Sequence, residues 1–206
     1  MLSFSRFART SLLGLAIAAF PVIAQAADFD IDTAHTRVGF GVRHLMVSTV
    51  HGTFGKFTGA VVLDDQDVTK SKVNLEIDVA SIDTREPKRD DHLRSPDFFD
   101  AAKFPKMTFK STKVEKDGDG LKVTGDLTIK AITKPVVLKV GALSQEVKDP
   151  WGGTRRGTTA SAKISRKDFG LTWNKALDGG GVVVGDEVAI ELEVELVKKA
   201  PDAKKG

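Results

Sequence analysis

Four stretches of this chain alternate apolar and polar residues with a period of two, and that period restricts the fold more than any other feature. Val38, Phe40, Val42 and His44 alternate with Arg37, Gly39, Gly41 and Arg43. Val73, Leu75, Ile77 and Val79 alternate with Asn74, Glu76 and Asp78. Leu121, Val123, Gly125, Leu127 and Ile129 alternate with Lys122, Thr124, Asp126 and Thr128. Val188, Ile190, Leu192, Val194 and Leu196 alternate with Ala189, Glu191, Glu193 and Glu195. Successive side chains of a strand point to opposite faces, so each stretch reads as a strand with one apolar face and one wet face. Asp117-Gly118-Asp119-Gly120 predicts a hairpin between strands at 106–115 and 121–129. Gly152-Gly153 and Gly179-Gly180-Gly181 mark further loops. About eight strands result, which is an all-β domain.

Such strands make a sandwich or a barrel. Gly39, Gly41, Gly52, Gly55 and Gly59 lie in or beside the first two strands, where they permit strong curvature and close backbone approach. That tilts the reading to a barrel, and an eight-stranded barrel has room for one small ligand. The pattern breaks once, at DTREPKRDDHLRSPDFFDAAKFP (83–105), a polar insert that carries Phe98, Phe99 and Phe104. The one helical stretch is expected around Pro87–Asp100, where Ser95-Pro96-Asp97 reads as a good helix start, with a helix near 87–94 and a short turn at 96–101. Pro105 then forces extended structure. A polar helical insert with aromatics, set into a β-protein, has the makings of a lid.

Several blocks carry a family resemblance. HTRVGFGVRHL (35–45), GTFGKFTG (52–59), SIDT (81–84), RDDHL (89–93), SPDFFDAAKFP (95–105), GDLTIKAITKPVVL (125–138) and ISRKDFGL (164–171) follow one another in order. Together they resemble the YceI-like family of lipocalin-like, polyisoprenoid-binding periplasmic proteins over roughly residues 28–197. The resemblance implies an eight-stranded antiparallel lipocalin-like barrel with a short helical insert, enclosing a long apolar ligand.

Residues 1–26 carry Arg6 and Arg9, an apolar run from Leu12 to Phe20, and Ala24-Gln25-Ala26. This predicts a secretory signal peptide cleaved after Ala26, and hence a periplasmic location and no stable membrane insertion afterwards. The remaining length of about 180 residues fits one domain, expected over 27–197, with a disordered basic tail at 198–206. Without the two leader arginines the formal net charge falls from +3 to +1. No clustered basic face is legible, so nucleic acid is not an expected partner. The chain has no cysteine, so it rests on burial alone.

His35, His44, His51 and His92 lack any zinc-ligand spacing, and in one strand His35 and His44 would face opposite ways. No metal or cofactor is therefore expected. No Gly-x-Ser-x-Gly elbow occurs, and Asp90-Asp91 beside Arg89 and His92 reads as a charged helix start as readily as an acid–base cluster. No catalytic residue is assigned. An anionic head group calls for arginine, and Arg85 and Arg89 on the insert are the preferred candidates; pairing with Asp83, Asp90 and Asp91 is the structural alternative. The aromatics are the better-supported feature, because ligand pockets are apolar with a few polar groups. Phe40, Val42, His44, Phe54, Arg85, Arg89, His92, Phe98, Phe99, Phe109 and Trp173 are the expected ligand-binding residues. The expected function is a carrier of an amphipathic lipid, which the resemblance narrows to a prenyl pyrophosphate or an isoprenoid quinone. The rival readings are a stress-response or interaction module and an enzyme acting on a lipid. The outer faces leave a homodimer open.

Overall fold

Each alternating stretch is a strand. The computed structural model describes residues 27–200, so the expected leader and residues 201–206 of the tail lie outside the described residues. The strands are β1 (Ala27–Ile31), β2 (Arg37–His44), β3 (Ser48–Phe54), β4 (Phe57–Leu63), β5 (Lys72–Asp78) and β6 (Ile82–Asp83). They continue as β7 (Lys106–Asp117), β8 (Gly120–Ile129), β9 (Ile132–Val140), β10 (Val147–Lys148), β11 (Thr154–Ser165) and β12 (Val184–Lys198). The one α-helix among the described residues is α1 (Pro87–Arg94).

The ring closes in the order β1-β4-β5-β7-β8-β9-β11-β12 and back to β1, antiparallel throughout, which makes an eight-stranded barrel. Closure gives each of the eight ring strands a neighbour on both sides, which leaves less free edge to template aggregation. The long β12 makes this possible. Its last residues pair with β1 (Ile31 opposite Leu196), and its first part pairs with β2 (Phe40 opposite Ile190). β2 therefore continues the line of β1 past a turn at 32–36, and β3 continues that of β4 past Gly55-Lys56. His35 sits in that turn rather than in a strand.

The barrel has two unlike ends. At the end where β12 finishes, Phe29, Val61, Leu63 and Leu196 are buried together. Arg156 bonds there to the Ser144 carbonyl (3.0 Å) and to Asp65 (2.9 Å), beyond the end of β4. Ordered structure also runs past the expected limit at 197. Lys198 closes β12, and the Lys199 N–H donates to the Asp28 carbonyl at 2.8 Å. Strand pairing with β1 holds these residues where composition had pointed to a frayed tail.

At the other end β9 and β11 diverge, pairing only through Lys139 and Val140 with Ser161 and Ala160. The tight turn Arg166–Phe169 and Leu171 fill the gap, with Phe169 and Leu171 buried in the main core. The insert between β6 and β7 covers the same end. α1 starts with Pro87 at its first turn and the Glu86 carboxylate accepting from the Lys88 N–H, and Ser95 stops it. Its surface is polar almost all round, so it is held by specific bonds rather than by an apolar face.

Candidate functional site

The inward faces of β2, β3 and β12, the insert, and the segment around Trp173 enclose a cavity of about 500 Å³. One wall is an aromatic run. Phe40 and Phe54 have ring centroids 5.6 Å apart, and Phe99 meets Phe54 edge-on at 6.0 Å. The facing wall is a second cluster. The His92 ring stands edge-on to Phe98 at 5.0 Å and to Trp173 at 4.8 Å, with Phe98 and Trp173 5.2 Å apart. Both arrangements are favourable geometries for aromatic pairs. Val42 and His44 complete the β2 side toward the mouth.

The space exists because of where the rings lie. Phe40 is opposite Gly52 across β2 and β3, and its ring occupies the place of the missing side chain. A Cβ on Gly52 would collide with Phe40 Cζ and the Thr84 methyl. The ring thus lies along the barrel wall and leaves the lumen free. Phe109 does the same over Gly125. Deeper in the barrel Phe109 borders a second, wholly apolar cavity of about 160 Å³ with Leu75, Val123, Leu138 and Leu192. Val38, Ile77, Leu127 and Ile190 border both spaces and form the waist between them.

The mouth is polar. Arg43, His44, Glu86, Lys88 and Arg89 line it. Asp90 is buried, and its carboxylate accepts from the Thr84 N–H (2.9 Å) and hydroxyl. Arg89 donates to the Thr84 hydroxyl (2.8 Å) and carbonyl (2.9 Å). Arg94 reaches the Ala80 and Ile82 carbonyls at 2.9 and 2.8 Å. These bonds satisfy polar groups that closing the barrel end would otherwise leave unpaired, and they fasten the insert to β6.

Most of the residues singled out in the sequence meet here: Phe40, Val42, His44, Phe54, Arg89, His92, Phe98, Phe99 and Trp173 all line the mouth cavity. Two do not. Phe109 lies beyond the waist in the deeper cavity, because alternation fixes its face and not its depth. Arg85 lies outside both cavities. Its backbone has φ 64, its N–H donates to Asp83 at 2.7 Å, and this turn leaves the side chain exposed. The pairing of Arg89 with acids is replaced by its bonds to Thr84. Arg155 and Arg156 belong to the opposite end, each already bonded to carboxylates.

Arg166 was not singled out, yet it borders the mouth cavity and is buried. It donates to the carbonyls of Gly185 (2.9 Å), Leu171 and Trp173 (2.8 Å), and it pairs with Asp186 at 3.2 Å. It ties the Trp173 segment to the start of β12. Only the fold reveals this, since its partners lie up to 20 residues away. Val188 and Ile190, on the apolar face of β12, line the cavity as well.

Asp32, His35 and Glu195 bring three donor atoms within 4.8 Å, a grouping that could hold a cation. The Arg155 guanidinium occupies that position, bonded to Asp32, Glu195 (2.6 Å) and Asp149 (2.7 Å). The hydrogen bond to His35 and that to Arg155 hold the Asp32 carboxyl well below the usual range. The bond to Asp32 raises His35 in turn, helped by the charges of Asp32 and Glu195. This is an outer-surface clamp between the 32–36 turn and the β10–β11 hairpin.

Comparison with known proteins gives the same frame. The YceI-like domain matches residues 29–196. The protein YceI of Shigella flexneri is 45% identical over 168 residues, covering 79% of this chain and 87% of that one. The crystal structure of BcnA from Burkholderia cenocepacia superposes with a TM-score of 0.71 at 27% identity, over 81% of this chain and 99% of that one. A polyisoprenoid binding domain from Saccharophagus degradans, implicated in plant cell wall breakdown, shares the fold at a TM-score of 0.58 and 16% identity, over 85% of this chain and 100% of that one.

Proposed function

The chain belongs to the YceI-like family, and from that premise we propose that it binds and carries an amphipathic lipid whose long apolar tail lies inside the barrel. The observation that carries the reading is the cavity of about 500 Å³, walled by aromatics and continued past a waist into an apolar space. Burying each methylene of a tail contributes about 0.8 kcal/mol, so a chain of several isoprene units binds tightly without specific chemistry. The mouth then selects the head. Arg43, Lys88 and Arg89 against Glu86 favour an anionic group, which makes a prenyl pyrophosphate a better fit than a quinone. The polyisoprenoid-binding domain with the same fold supports this ligand class. The leader-like residues 1–26 support export to the periplasm. Binding accounts for the cavity without a catalytic step.

The test is twofold. Protein purified gently from its native compartment is extracted and its lipids identified by mass spectrometry. Separately, geranylgeranyl pyrophosphate is titrated while Trp173 fluorescence is followed in a Trp151→Phe background. A long-chain isoprenoid in stoichiometric amount and a saturable change at Trp173 are expected. An empty protein that leaves Trp173 unchanged in the titration overturns the reading.

A further inference from the structure

The hairpin tip at the cavity mouth breaks two rules at once. The turn from His44 to Val47 is closed by the Val47 N–H on the His44 carbonyl at 3.0 Å, with Leu45 at φ 51 and Met46 at φ 59. Two central residues with positive φ are the signature of a turn that normally carries Asn-Gly, because that backbone crowds Cβ against a carbonyl oxygen, which Gly avoids and Asn offsets with local hydrogen bonds. Leu-Met stands there instead. The same residues are also the wrong polarity for a tip in water: Met46 is 55% and Val47 78% exposed, and Leu45 beside them is exposed too. Neither feature helps the fold. Backbone strain and contiguous exposed apolar surface together point to a binding role.

The position of the tip says what it meets. His44 and Arg43, immediately before it, line the mouth, and the Leu45 N–H donates to the carbonyl of Val183, another lining residue, at 2.8 Å. Arg43 holds the turn through the Met46 carbonyl at 2.8 Å. The tip is thus continuous with the cavity opening, and the charged rim beside it is predominantly basic, with Arg43, Lys88 and Arg89 against Glu86. A protruding apolar tip flanked by cations matches an anionic lipid surface, where apolar residues enter the acyl boundary and basic ones meet the head groups.

We infer that Leu45, Met46 and Val47 dock the barrel, mouth first, on a lipid bilayer, so that cargo passes between membrane and cavity without crossing water. This rests on the carrier reading above. A second exposed apolar tip, Trp151 at 86% exposure, belongs to the β10–β11 hairpin at the closed end and serves as the control.

The experiment is flotation of the mature protein with phosphatidylcholine vesicles, with and without phosphatidylglycerol. The variants are the double substitution Leu45→Asn with Met46→Gly, and Trp151→Ala. Asn-Gly suits the turn, so the double variant keeps or raises the melting temperature, which separates docking from folding. The expected result is binding by the native protein that strengthens with phosphatidylglycerol and weakens with salt, about tenfold weaker binding by the double variant, and native binding by Trp151→Ala. Equal binding by the double variant, loss in Trp151→Ala alone, or no vesicle binding by the native protein each overturns the proposal; the last assigns the tip to a protein partner. Geranylgeranyl pyrophosphate titration of the same proteins keeps the two readings apart. Retained uptake without vesicle binding sinks docking alone, whereas absent uptake sinks the carrier reading.

Discussion

The two ends of the barrel are made from the same alternating strands and hold different amounts of space. At the closed end the inward residues are mostly aliphatic, such as Val61, Leu63, Val73 and Leu196, and they meet at the axis around Phe29. The deeper cavity left above them is about 160 Å³. At the mouth the inward residues are larger, yet the space is about 500 Å³. Larger side chains leave more room because Phe40 lies over Gly52 and because the insert, not an inward side chain, closes the wall. Alternation decides which residues face in. Shape, and what a ring can lean on, decides whether the inside is filled.

The largest expected effect tests whether the ends are separable. Phe29 is fully buried, and Phe29→Ala is expected to cost about 3–5 kcal/mol, roughly 10 °C in melting temperature. Geranylgeranyl pyrophosphate uptake by the folded fraction should stay native. A matching loss of uptake would mean that the plug also shapes the mouth cavity.

Gly52→Val tests the aromatic argument directly. Its side chain takes the place of the Phe40 ring and pushes that ring into the lumen, costing about 1–3 kcal/mol in stability and about tenfold in uptake. Adding Phe40→Ala should restore uptake. If the single variant binds as before, the glycine is not what keeps the cavity open.

A smaller effect is expected in the insert. Asp90→Asn removes the charge from the carboxylate that accepts both Thr84 donors, at about 1–2 kcal/mol. Hydrogen exchange should accelerate over residues 84–94 while the closed end keeps its protection. Uniform acceleration would deny the insert its own local stability.

The smallest effect lies in the outer clamp at the closed end. His35 is raised from its ordinary value of 6.5 by Asp32, so its contribution is complete below that value and fades as pH rises through the raised one. Asp32, held low, contributes above its ordinary range and loses that contribution only as pH falls through its lowered value. His35→Gln should flatten the fall in melting temperature above about pH 6.5 and leave lipid uptake unchanged. An unaltered profile would show that the His35–Asp32 bond is not formed in solution.

What could be read in the sequence follows from what is local. The helix at 87–94 was legible as a polar run that breaks the alternation within one segment, but Ser95, which reads as a helix start, ends that helix instead. The β7–β8 hairpin was legible from its Asp-Gly turn, and the inward faces of β2, β5, β8 and β12 from their period. Arg85 was misplaced because a left-handed backbone position at a non-glycine residue gives no signal in the residue type. Phe109 borders the deeper cavity, a depth that alternation does not specify, and only partners brought up by the fold set Arg166 apart from the other arginines. The Arg85 turn is local and still silent, whereas the depth of Phe109 and the burial of Arg166 depend on neighbours that the chain reaches only after a long separation.

Local pattern is enough to specify strands with one apolar face, a single polar insert, and an aromatic-rich interior. Those are properties of where each Cβ points and of which segments start and stop, and both are fixed within a few residues. The tertiary structure alone decided that the ring closes through β11 and β12, that Phe40 rests on Gly52 rather than in the lumen, and that Leu45–Val47 stands beside the open mouth. Closure, free volume and adjacency depend on strands brought together across the whole chain, and no local pattern carries them.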